Sequence, residues 1–291
     1  MTSIYKSPHA QQDVRRWCLE RIARWDVPCT RREIATSAGR TSTLTAGPET
    51  DSRSPCVVLL PGTNMGAAQC LAAAEVLARV HRVTVVDLPG QPGLSTQQRP
   101  RSRRMDWYGR WLGEVLAQIG KGSVVLVGHS LGGAVALAGN SPRVIGRVIL
   151  SSAGITRLKV TTPIMAASLP WLLRPSVPRA ARLLRHMSDP GHVPSSDLSA
   201  WMDLVARSCR TSLAPSPLPS ALLDQRRRQP ILAVAGGGDP FLPPETLAPA
   251  MKRRLGTELR VMDGAGHLLL EEKPNEVCAL VEQFCVGLRP H

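Results

Sequence analysis

The chain has 291 residues, 43% of them hydrophobic, and 36 Lys and Arg against 22 Asp and Glu give it a formal net charge of +14. That length buries a sizeable core in one α/β domain or two small ones, and no apolar run reaches the ~18 residues of a membrane span. The basic residues are nearly all arginine and are scattered, with little Tyr or Phe beside them, so a solvated basic surface is expected rather than a nucleic-acid partner.

The opening Met1-Thr2-Ser3-Ile4-Tyr5 carries no apolar core, so no secretory signal is expected and the default location is cytoplasmic. Ser7 is suited to N-cap a helix over residues 8–27, with Pro8 at its first position. Val14, Trp17, Cys18, Ile22 and Trp25 recur at helical spacing, and Pro28 ends the run. This N-terminal helical extension, residues 1–30, is expected to dock on the main body; a flap at a site entrance is the alternative. From Arg32 to Thr45, short β-like runs around Ser37-Ala38-Gly39-Arg40 give a hairpin signal. Residues 56–60 read as a buried strand that breaks at Pro61-Gly62-Thr63-Asn64 and yields to a helix over 67–80. Residues 82–86 are the next strand, ending in Asp87-Leu88-Pro89-Gly90-Gln91-Pro92-Gly93. A helix over 106–119 then leads to the strand at Val124.

The turn after that strand carries the chemistry. Gly128-His129-Ser130-Leu131-Gly132 stands between an apolar strand and a helix-forming Ala134-Val135-Ala136-Leu137-Ala138. A strand that turns straight into a helix folds back within very few residues, which strains the apex and lifts its side chain clear of the sheet. Glycines two residues either side remove the Cβ atoms that would collide there. The new helix aims unpaired N–H groups at charge developing beside Ser130. That is a nucleophile elbow. His129 occupies a position more often filled for packing, and no catalytic role is assigned to it.

After a strand at 147–150 the alternation of strands and helices stops. Residues 156–229 read as Pro-punctuated helical pieces, 164–173, 178–187 and 198–209, an insertion of the kind that forms a lid or cap. Trp171 and Trp201 are candidates to line its underside, with a cap core of their own as the equal alternative. Strand 231–235 resumes the sheet and ends in Gly236-Gly237-Gly238-Asp239-Pro240. A helix over 245–255, a strand over 259–262, the loop Asp263-Gly264-Ala265-Gly266-His267 and a closing helix over 274–286 complete the chain. The expected core is thus 31–155 with 230–291. The seven cysteines are odd in number and never spaced Cys-x-x-Cys, which argues against a disulfide framework and a zinc site. No nucleotide motif is present.

A serine hydroxyl is a poor nucleophile at neutral pH and needs a base, which in turn needs a carboxylate to fix its tautomer. Ser130, Asp239 and His267 each come just after a core strand, so all three map to the carboxyl edge of a parallel sheet, in the order Ser…Asp…His. With the elbow, the acid loop 236–243 and the histidine loop 264–267 followed by Glu272 and Pro274, the chain resembles the α/β-hydrolase superfamily from about Arg32 onward. The resemblance implies a mostly parallel, doubly wound sheet with a helical cap inserted before the acid-bearing strand. It implies Ser130 as nucleophile, Asp239 as orienting acid and His267 as general base. The oxyanion hole it implies comes from the N–H of Leu131 and of a residue after the strand at 56–60. Where relatives often carry His-Gly, this chain has Pro61-Gly62-Thr63-Asn64; either Thr63 or Asn64 completes the hole, Thr63 being chosen, and Asn64 is also kept as a pocket residue. The loop Asp87 to Ser95 is one residue longer than the common form and is expected to border the pocket. Glu272 is expected to serve the surface or a helix start.

The function expected is a cofactor-independent serine hydrolase acting on a carboxylic ester, thioester or lactone of a small, largely apolar molecule. A lyase or cyclase using His267 as base on the same scaffold is the runner-up, and a ligand-binding receptor that retains the triad is the third reading.

Overall fold

The computed structural model describes residues 1–49, 54–210 and 215–288. Apolar runs rich in Val, Ile and Leu make most of the strands of an eight-stranded sheet. A hairpin comes first, β1 (Cys29–Thr36) and β2 (Gly39–Ala46), turning at Gly39 with φ of 104°. Then come β3 (Cys56–Leu60), β4 (Val83–Val86), β5 (Val124–His129), β6 (Val144–Leu150), β7 (Ile231–Gly236) and β8 (Leu259–Met262). Their order across the sheet is β8-β7-β6-β5-β3-β4-β2-β1. β3 to β8 pair in parallel, while β2 runs antiparallel to both its neighbours. The chain steps from β3 to β4 on one side and resumes with β5 on the other. That reversal opens a crevice at the carboxyl ends of β3 and β5, where loops from both meet.

The helices longer than four residues are α1 (Pro8–Ala23), α2 (Leu71–Ala78), α3 (Arg104–Gln118), α4 (Leu131–Ala138), α5 (Thr162–Leu173), α6 (Val177–Met187), α7 (Ser196–Ser208), α8 (Ser220–Arg226), α9 (Pro244–Leu255) and α10 (Pro274–Gly287). Alternation along the strands assigns each face its helices. Val57, Leu59, Val125 and Val127 pack with α2 and α10, and Val58, Leu60, Val124 and Leu126 pack with α3 and α4. The connection from β6 to β7 carries α5 to α8. Its α5, α6 and α7 pack on one another, and α7 also packs on α1.

Several expected elements differ in extent. The first helix stops at Ala23 rather than residue 27, because the residues before Pro28 must leave the helix to enter β1. It docks: Val14 and Cys18 are buried and Ser7 accepts the N–H of Ala10 at 3.1 Å. The helix expected over 67–80 is a 3₁₀ turn, Ala67–Gln69, followed by α2. The Asp87 carboxylate takes the Ala67 N–H at 2.5 Å and fixes that tighter start. The short helix α8, and a two-residue pairing of Thr2–Ser3 with Gln98–Arg99, were not among the expected elements.

Two buried arginines hold the far end of α4. Arg147, fully buried on β6, donates from Nε to the Ala136 carbonyl at 2.8 Å and from Nη2 to Gly139 at 3.0 Å. Arg226 donates to Leu137 at 2.8 Å. Burial, and then the neighbouring Arg226 charge, pull the Arg147 guanidinium down to about 9, so it remains a cation at neutral pH, matched to the negative end of the helix. Arg147→Met leaves two interior carbonyls without donors. It should cost about 3 kcal/mol, read as a lower urea midpoint at unchanged slope; an unmoved midpoint would refute this capping role.

Candidate active site

Ser130 lies at the turn between β5 and α4 with φ of 50° and ψ of −111°, outside the regions open to ordinary residues. Its peptide groups anchor the turn. Ser130 N–H donates to Leu150 O at 2.9 Å, and Ser130 O accepts from Gly133 and Ala153, both at 3.1 Å. Gly132 is required here, because a Cβ on it would stand 2.0 Å from the Leu60 carbonyl oxygen. Gly128 is pressed as closely by the backbone of Gly132, at 2.4 Å. The turn therefore seats α4 directly against the end of β3.

The three residues that sequence placed on one edge meet. Asp239 Oδ2 accepts the His267 Nδ1–H at 2.9 Å, and His267 Nε2 stands 3.1 Å from Ser130 Oγ. Because Nδ1 carries the proton, Nε2 presents a lone pair to the hydroxyl. The other carboxylate oxygen of Asp239 accepts the N–H groups of Phe241 and Leu242 at 2.9 and 3.0 Å. Burial raises the Asp239 carboxyl, but the charge and hydrogen bond of His267, with the Ser151 hydroxyl and Leu242 N–H, outweigh it and bring the group down to about 2. Ser130, His267 and Asp239 are 6%, 4% and 2% exposed, so bulk water barely reaches the line of three.

The backbone around His267 is held from three directions. His267 N–H donates to Met187 O at 2.7 Å, and His129 Nε2–H donates to the His267 carbonyl at 2.7 Å. Glu272, expected to serve the surface or a helix start, receives the N–H groups on both sides of the histidine, Gly266 and Leu268, each at 2.9 Å. It also receives the N–H of Asp189 at 2.7 Å. Gly266 permits this approach, since a Cβ there would stand 2.6 Å from Met187 O. From the sequence, neither His129 nor Glu272 was given a part in holding the histidine loop. The one signal available for Glu272 was a carboxylate five residues past the histidine.

The loop after β3 runs beside Ser130: a Cβ on Gly62 would stand 3.5 Å from Ser130 Cβ. Asn64 has φ of 64°, a left-handed conformation that Asn tolerates better than most residues. Its N–H is given to Gln91 Oε1 at 3.0 Å. Leu131, first residue of α4, has no acceptor for its N–H within the helix. The long loop after β4 thus reaches the site through Gln91, and Asp87 and Ser95 bind its own turns. Trp171 and Trp201 both sit in the apolar cluster shared by α1, α5, α6 and α7. Trp171 donates to Met202 O at 2.9 Å, inside the helical segment. Next to the site is a cavity of about 30 Å³, walled by Gly62, Met65, Gln69, His129, Leu198 and Leu268 among others, with neither tryptophan in its lining. Both rings are buried in that packing, but only Trp171 bonds within it; the Trp201 indole N–H leaves it to reach the Asn64 carbonyl at 2.7 Å. Among the described residues no three His, Cys, Asp or Glu side chains are grouped to hold a metal ion, and no helix is long and apolar enough to cross a membrane. None of the seven cysteines is in a disulfide.

A model of the alpha/beta hydrolase family matches residues 57–280. The protein named Uncharacterized protein Rv2715 of Mycobacterium tuberculosis H37Rv is 25% identical over 266 residues, covering 81% of this chain and 76% of that one. Among solved structures, carboxylesterase CesB of Bacillus subtilis is similar with a TM-score of 0.80 at 17% identity, over 96% of this chain and 99% of that one. Naproxen esterase of the same organism is similar with a TM-score of 0.74 at 22% identity, over 92% and 95%. At these identities the structural likeness is one of fold.

His129 yields a pH prediction. Burial, and then the nearby His267, pull its imidazole down to about 4. The folded protein keeps it neutral, whereas the unfolded chain takes up a proton below ~6.5. Acid therefore favours unfolding: the contribution is whole above ~6.5 and drains away as pH falls to 4. Urea titrations should show a loss of about 3 kcal/mol across that window, and His129→Gln should abolish most of the slope. A wild-type stability that stays level down to pH 4 would contradict it.

Proposed function

The chain belongs to the alpha/beta hydrolase family, and from that membership and the geometry at Ser130 we propose that it is a serine hydrolase of carboxylic esters, acting without a cofactor. The observation that carries this reading is the unbroken line from Asp239 through His267 to Ser130 Oγ, at 2.9 and 3.1 Å. His267 Nε2 takes the hydroxyl proton as Oγ bonds to the substrate carbonyl carbon, and the carbonyl π pair moves onto oxygen. Collapse of that adduct expels the alcohol oxygen, which leaves with the proton from His267. An acyl-serine remains. Water then repeats the sequence: His267 takes its proton, hydroxide adds to the acyl carbon, and Ser130 departs with the proton back on Oγ. Asp239 holds the tautomer and stabilises the imidazolium at each stage.

The oxyanion is assigned to the N–H groups of Leu131 and Thr63. The helix start at Leu131 supports the first. For the second, the Asn64 N–H is already bonded to Gln91, which favours Thr63. Residues 156–229 act as a cap, with the helix within 1–30 as its buttress, over a core of 31–155 and 230–291. Leu198 of α7 in the cavity wall supports that division. Met65, Leu198, Leu268 and Leu270 in the cavity wall favour an apolar substrate group, and the names of the two Bacillus neighbours agree with ester chemistry. Thioesters and lactones present the same carbonyl and fall within the reading.

The test is a panel of nitrophenyl esters of graded acyl length, with mass spectrometry for an acyl adduct on Ser130. A fluorophosphonate should label Ser130 and no other serine. Ser130→Ala should lower kcat by roughly 10⁴-fold or more with the fold intact, and Asp239→Asn should lower it by about as much. Wild-type turnover by Ser130→Ala would end the assignment. Full activity in Asp239→Asn would move the acid elsewhere.

A further inference from the structure

The loop that offers the Thr63 N–H does not hold its own shape. Gly62 to Met65 closes with a Met65 N–H to Gly62 O bond at 3.2 Å, at the long end of the range. At its third residue the backbone takes the positive φ of Asn64. Both main-chain polar groups of Asn64 are instead bound from outside. Its N–H goes to Gln91 Oε1 at 3.0 Å, and its carbonyl accepts the indole Nε1–H of Trp201 at 2.7 Å. Trp201 comes from α7, in the inserted helical segment, and Gln91 from the loop after β4. Two distant parts of the sequence thus grip one residue on either side, adjoining the peptide that carries the proposed oxyanion donor.

Trp201 is itself braced. It is fully buried, and Trp17 of α1 lies against it with ring centroids 4.8 Å apart. Arg21 stands over the Trp17 ring at 5.9 Å, donates to Ala68 O at 3.2 Å and pairs with Asp197 on α7. The N-terminal helix presses the indole toward the loop after β3. An indole N–H at this depth has few acceptors within reach and costs free energy if left unpaired, so its direction is fixed by the same bond that fixes the loop.

We propose that Trp201 and Gln91 are positioning residues of the oxyanion hole, holding Asn64 from opposite sides so that the Thr63 N–H stays aimed beside Ser130. The inference rests on the serine-hydrolase reading. Neither side chain touches substrate. Each acts through the loop backbone, so its loss is felt where negative charge develops on the carbonyl oxygen and hardly at all in substrate binding.

The experiment compares Trp201→Phe and Gln91→Met with wild type, using Trp171→Phe as the matched loss of a buried indole N–H that does not reach Asn64. The readouts are kcat and KM on a nitrophenyl ester and inhibition constants for two ligands. One is an alkyl trifluoromethyl ketone, to which Ser130 Oγ adds to give an oxyanion adduct; the other is the corresponding alkyl amide, bound without addition. Trp201→Phe and Gln91→Met should each lower kcat about tenfold or more with KM within about twofold. The ketone should weaken by a similar factor and the amide should hardly change. Trp171→Phe should leave the ratio of the two inhibition constants as in wild type. Since both side chains hold one residue, the double variant should lose less than the product of the single losses. Should Trp201→Phe fold poorly, Gln91→Met decides alone. Equal weakening of ketone and amide, or wild-type kinetics in Gln91→Met, overturns the inference while labelling of wild-type Ser130 keeps the hydrolase reading. A wild type that neither turns over esters nor labels at Ser130 overturns both.

Discussion

The site depends first on how closely α4 approaches the ends of β3 and β5. With a Cβ at Gly132 only 2.0 Å from Leu60 O and one at Gly128 2.4 Å from Gly132 O, no other residue type fits without moving the strands. The closeness has two consequences. The start of α4 lies beside Ser130, with the Leu131 N–H left without an acceptor inside the helix. The chain leaving β3 at Pro61 must also pass beside the serine, because Leu60 is already against the helix. The strain at Ser130, of order 1–3 kcal/mol for such a conformation, is offset by its bonds to Leu150, Gly133 and Ala153. A rigid turn of this kind holds the Ser130 hydroxyl in one direction, and the loops around it pack against that turn.

Those loops have no regular structure of their own, and each is fixed by side chains from elsewhere. Glu272 gathers the N–H groups of Gly266, Leu268 and Asp189; His129 takes the intervening carbonyl. One carboxylate and one imidazole thus hold the peptides around His267 while leaving its ring to Asp239 and Ser130. A neutral His129 suits this better than a charged one, since a charge on it would be buried beside the His267 ring.

Local signals were the legible ones in the sequence. Strand runs, the Gly-x-Ser-x-Gly turn, and loops ending in Asp239 and His267 are contiguous, and the parallel sheet then dictates a shared edge. Termini of elements were less legible, because contacts decide them: the 3₁₀ turn before α2 is bonded at Ala67 by Asp87, twenty residues away. The supporting residues were least legible. Glu272 near a helix start looks like any surface acid, and nothing within α7 tells that Trp201 points its N–H at a loop 137 residues away. Trp171 and Trp201 carry the same apolar signal, yet one bonds within the helical segment and the other bonds across to the sheet.

That last difference shows how the helical segment between β6 and β7 is joined to the sheet edge. Met187 and Asp189 meet the base loop through their own main-chain atoms, so they constrain the path of the chain there more than the identity of the side chains. Trp201 meets the loop after β3 through a side-chain N–H that no other large apolar residue supplies, so at that position identity matters. Each bond is worth about 1 kcal/mol net, too little to lock the segment by itself. Burying Trp201 among α1, α5, α6 and α7 adds an apolar contribution of at least ~2 kcal/mol, and that packing is what keeps the bonds in register. A segment joined in this way cannot swing aside as a body without releasing the loops on both sides of Ser130, so access to the serine and the aim of its neighbours are governed by the same contacts.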